Sequence, residues 1–153
     1  MKPEEMKPEE MNPGRGILVV GWIANALFAV TAVAAAITGE DALLGVAIGT
    51  ALLLFFVAIA AFVYGFAVAV TRSARGDNVA VANLFFLQGS APRPVQRRFL
   101  VLFLVCLLIA VGTAPWEPFG VLVPMLPIGL AGVWAARHGT FPPRPPAAPR
   151  RRV

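Results

Sequence analysis

At 153 residues the chain is the length of one domain, and 58% of it is apolar while only 14% is charged; that balance excludes an ordinary water-soluble domain. The net charge of +5 gathers beside long apolar runs rather than on a face with accessible aromatics, which excludes nucleic acid as a partner and points to anionic lipid. One cysteine, Cys106, and one histidine, His138, exclude an internal disulfide and a histidine-built metal centre.

Residues 1–16 repeat Met-Lys-Pro-Glu-Glu and carry almost no apolar side chains, so this amino-terminal arm is expected to be disordered. Ile17 to Thr38 is then free of charge for 22 residues, roughly 33 Å of helix at about 1.5 Å per residue. A cleaved signal peptide is the rival reading, since Ala32-Val33-Ala34 fits a small-residue cleavage pattern. The run is far longer than the roughly 7–15 residues of a signal core, so a retained helix over 17–38 is the better reading. Gly39-Glu40-Asp41 turns the chain, and Ala42 to Thr71 is again free of charge. A helix near 43–70 exceeds a hydrocarbon core of about 30 Å and must tilt or project past it.

The loop 71–98 holds Arg72, Arg75, Arg93, Arg97 and Arg98 against Asp77. Arg75-Gly76-Asp77-Asn78 is a turn signal. Val79 to Leu87 is apolar but too short to span, so it is expected to pack at the interface or on the helix ends. Gly89-Ser90-Ala91-Pro92 breaks the chain, with Ser90 a candidate helix cap. Helices near 99–114 and 119–136 follow, split by Pro115-Trp116-Glu117-Pro118. A sharp turn between two full spans is favoured over a re-entrant hairpin, and Pro124 and Pro127 are expected to bend the last helix. Arg137, His138 and Gly139 end it. Residues 141–153 form a Pro/Arg-rich tail that is expected to be disordered, ending in Arg150, Arg151 and Arg152.

The links therefore read acidic, basic, acidic, with Glu40 and Asp41 in the first and Glu117 in the third. Retention of Lys and Arg on the cytoplasmic side places both termini there in a plasma membrane. The expected fold is an all-α, integral membrane four-helix bundle over 17–140 with disordered cytoplasmic termini.

No Asp, Glu, Lys, Arg or His lies inside the four runs, which argues against an ion-coupled transporter. Small multidrug exporters carry a carboxylate in their first helix where this chain has Asn25, and quinone-linked thiol oxidoreductases need paired cysteines. No catalytic residue, cofactor or metal site is expected, and the protein is read as a non-enzyme. Asn25 and Tyr64 are the polar candidates, each either a pore contact or, as favoured, a hydrogen bond within the bundle. Gly45 and Gly49 form a GxxxG step, and Ala61, Gly65 and Ala69 continue the small-residue spacing. Packing of the first two helices on each other is favoured over a seam with a second copy. Arg97, Arg98, Arg150, Arg151 and Arg152 are candidate contacts to anionic lipid.

The segments Asn83-Leu84-Phe85-Phe86-Leu87-Gln88-Gly89-Ser90-Ala91-Pro92-Arg93, Val121-Leu122-Val123-Pro124-Met125 and Trp134-Ala135-Ala136-Arg137-His138-Gly139-Thr140-Phe141-Pro142 resemble a group of small four-span membrane proteins of actinobacteria with no assigned activity. The resemblance implies a fold and assigns no site residue. It also draws attention to the inner loop and the exit of the last helix. An accessory or scaffold protein, working with a membrane-protein partner or a second copy, is the leading expectation. The alternative is a small oligomeric channel or transporter subunit using Asn25 and the Gly45/Gly49 face.

Overall fold

The computed structural model describes residues 14–143. Helix α1 spans Arg15–Thr38 and ends where Gly39 takes a left-handed conformation (φ 67°) and donates its N–H to Ala35 O, the usual glycine stop. Gly39 and Glu40 are the whole link. Asp41 then sits in the first turn of α2, Asp41–Ala74, where a carboxylate complements the helix dipole. At about 1.5 Å per residue α2 is roughly 51 Å long, longer than any other helix of the described residues. A five-residue helix α3, Val81–Phe85, lies in the following loop. Helix α4, Arg93–Thr113, starts six residues earlier than expected, because Pro92 and Pro94 are both tolerated at a helix start.

The last run differs most from expectation. It is a 3-10 turn, Pro118–Leu122, followed by a 14-residue helix α5, Met125–His138. Pro124 occupies the N-cap of α5 and Pro127 its first turn. Neither proline bends a helix, since the missing N–H groups fall where no intrahelical acceptor is available.

Four segments are long and apolar enough to cross a membrane: Arg15–Thr38, Asp41–Ala74, Arg93–Thr113 and Pro118–His138. The described residues form an all-α four-helix bundle, the architecture of a multi-pass membrane protein. In the last segment's most apolar window 67% of residues are buried, against 22–28% in the other three. Helix α5 is thus the central element, packed on by α1, α2, α3 and α4.

Small residues set that packing. A Cβ on Gly65 would lie 3.0 Å from the carbonyl carbon of Gly132, and one on Gly129 would lie 2.9 Å from Ala58 O. Helices α2 and α5 therefore cross backbone to backbone, the geometry that small residues permit in lipid. The first two helices do pack on each other, as expected, but not through these glycines. Gly21 faces Leu102 and Leu130, on α4 and α5, while Gly45 and Gly49 have nothing within 4 Å. The sequence pattern located small faces but not which helix each would meet.

Candidate functional site

The arginine-rich end of the bundle is a built surface rather than a loose loop. Arg72 organises it: Nε donates to Asp77 Oδ2 at 2.9 Å, and Nη1 donates to Gly139 O at 3.0 Å and Ala136 O at 3.3 Å. Its guanidinium also lies 4.6 Å from the centre of the Phe141 ring. A planar five-donor group can cap the free carbonyls at the end of α5 and neutralise Asp77 at once. The chain then continues in register, with Asn78 N–H donating to Pro142 O at 2.8 Å and an isolated antiparallel bridge between Asp77 and Pro143. The tail is therefore docked through Pro143, two residues beyond the expected start of disorder. Arg150, Arg151 and Arg152 lie outside the described residues, as do residues 1–13 of the amino-terminal arm.

The inner loop is folded onto the bundle. Phe85 stacks on Phe62 of α2 with ring centres 4.1 Å apart and closes over Gly132. Leu87 adopts φ 58°, which a branched residue rarely does, and its side chain is buried; burial holds the strained turn in place. Ser90 does not cap α4, whose N-cap is Pro92. Its hydroxyl donates instead to Asn83 O, and its carbonyl accepts from Thr140 N–H at 3.0 Å, joining α3 to the tail. Gln96 Nε2 donates to Phe86 O at 3.1 Å, tying α4 to the same loop. Between α3, α4 and α5 this leaves an apolar recess of about 510 Å3, bordered by Arg93 and Arg97.

The remaining sequence candidates separate. Asn25 is buried on the inner face of α1, and its Oδ1 has no hydrogen-bond partner. Tyr64 is exposed, and its hydroxyl accepts from Arg137 Nε at 3.2 Å rather than meeting backbone. Gly65 is in the α2–α5 crossing, whereas Gly45 and Gly49 lie on the uncovered side of α2. Asn25 and the Gly45/Gly49 face are therefore not brought together. Arg97 and Arg98 are exposed at the start of α4.

Glu117 lies in the expected turn between the last two apolar segments, yet it is fully buried and both carboxylate oxygens lack a hydrogen-bond partner. The 3-10 turn folds back so that a Cβ on Gly120 would lie 2.5 Å from Glu117 Oε2 and 2.9 Å from Phe28 Cζ. Phe28 is ten residues before the end of α1, about 15 Å of helix, so this turn sinks below the α1–α2 link. Burial pushes the carboxyl above its ordinary range, and the nearby N–H groups of Gly120 and Phe119 partly offset the effect. The Pro-Glu-Pro spacing signalled a turn, not its depth.

Among the described residues no group of three or more His, Cys, Asp or Glu could hold a metal ion. The chain matches no protein-family model, no curated protein and no solved structure.

Proposed function

We propose that the protein is a non-enzymatic accessory or scaffold protein of the plasma membrane, with both termini cytoplasmic and its arginine-rich end presented to a partner. The observation that carries this reading is the Arg72-centred platform. Loop, helix ends and tail are joined by hydrogen bonds into one surface, which leaves Val81 and Phe86 65% and 57% exposed. Apolar side chains held out on a rigid polar surface suit protein contact. The acidic-basic-acidic order of the links supports the orientation.

A photo-crosslinking residue at position 81 tests the reading in cells. A discrete protein adduct, lost when Phe86→Asp is added, is the expected result. Adducts to lipid alone would overturn it.

The bare Gly45/Gly49 face favours a second reading, a small oligomeric channel or transporter subunit. Close approach of a second copy would use that face, which no helix of this chain covers. Native mass in lipid decides between them: a fixed homo-oligomer dispersed by Gly45→Leu supports the oligomer, and a monomer excludes it.

A further inference from the structure

Arg93 and Arg97 stand one turn apart on α4, so their side chains share a face, and both are exposed. An apolar recess lies on each side of them. The first, about 510 Å3, runs between Phe99 and Leu100 of α4 and Ile128 of α5. The second, about 470 Å3, is lined by Trp22 of α1, Pro94 and Val101, with Arg98 beside Arg93 and Arg97 at its edge. The same two arginines border both recesses. Each volume falls in the roughly 300–1,000 Å3 range of sites that enclose a small apolar ligand.

Among the described residues the single ion pair is Arg72 with Asp77, so neither arginine is neutralised by the fold. The Gln96 to Phe86 hydrogen bond fixes one wall of the first recess.

We propose that this is a binding site for one anionic phospholipid, with its phosphate on Arg93 and Arg97 and one acyl chain in each recess. Guanidinium groups match phosphate oxygens with paired hydrogen bonds. The arginines sit where an apolar span begins, which is the depth of the headgroups. A zwitterionic lipid brings its own cation beside the two guanidinium groups, and a free phosphate would leave both apolar recesses wet. This site requires no protein partner, although Phe86 of the proposed partner contact also lines the first recess.

The test uses the full chain purified with equal phosphatidylglycerol and phosphatidylcholine, with retained lipid read by native mass spectrometry. One retained phosphatidylglycerol per chain is expected. Arg93→Gln with Arg97→Gln should weaken retention about 30-fold, from about 1 kcal/mol per arginine at a tenfold change per 1.4 kcal/mol. Leu100→Trp narrows the first recess and keeps both charges, and it should also weaken retention. Arg75→Gln, at an exposed arginine that lines neither recess, should leave retention unchanged. Equal retention of the two lipids, or an equal loss in Arg75→Gln, would overturn the site. So would displacement of the lipid by glycerol phosphate, which lacks acyl chains. Binding seen only after deletion of residues 1–13 would assign the arginines to Glu4, Glu5, Glu9 and Glu10 instead, and would also overturn it.

Discussion

Glu117 has the largest consequence of any single side chain here. A buried carboxyl is less costly protonated than charged when nearby N–H groups, here those of Gly120 and Phe119, only partly offset its desolvation. Its ordinary value is 4.5 and burial raises it. Between those two values the folded protein holds a proton that the unfolded chain releases, so stability falls as pH rises through that window. Melting of the detergent-solubilised protein from acid to neutral pH should show this decline, and Glu117→Gln should abolish it while raising the melting temperature at neutral pH. An unchanged slope in that variant would mean that Glu117 is hydrated. Asn25, also buried with an unmet acceptor, carries no charge and should contribute no pH dependence.

At the scale of elements, Gly45 and Gly65 on α2 should respond oppositely to one added methyl. Gly→Ala in a helix ordinarily gains about 1 kcal/mol from propensity. Gly45 has open space around it, so Gly45→Ala is expected to be neutral or stabilising by up to about 1 kcal/mol. A Cβ on Gly65 would meet the Gly132 backbone at 3.0 Å, and backbone cannot step aside. Gly65→Ala should destabilise, and Gly65→Leu by about 1–3 kcal/mol or more, as overpacking does. Thermal stability of the two alanine variants side by side is the measurement. The same response from both would mean that α2 and α5 do not cross there.

At the scale of the whole molecule, the tail tests how the arginine-rich end is held together. A chain ending after Thr140 loses the Phe141 ring beneath Arg72 and the acceptor of the Asn78 N–H. An exposed cation–π contact is worth about 0.5–1 kcal/mol and a net hydrogen bond about 0.5–1.5 kcal/mol. Truncation after Thr140 should therefore cost about 1–2 kcal/mol, whereas truncation after Pro143 should be neutral, as read by thermal unfolding in detergent. Equal stability of the two chains would show that the strap contributes nothing.

The sequence by itself determined the four apolar segments, their punctuation and the collection of arginines at one end of the bundle. Hydropathy and charge act on each residue alone, so a linear reading suffices for them. Four spans near 17–38, 43–70, 99–114 and 119–136 were legible for that reason, although the helix starts moved and the fourth became a 3-10 turn and a short helix. Only the tertiary structure decided that α5 is central, that Gly65 meets Gly132 while Gly45 meets nothing, and that Arg93 and Arg97 divide two recesses. It also decided that Glu117 lies inside. Those outcomes depend on pairs of residues distant in sequence, and in lipid the pairing is set by close packing rather than by hydrophobicity, which every apolar face shares.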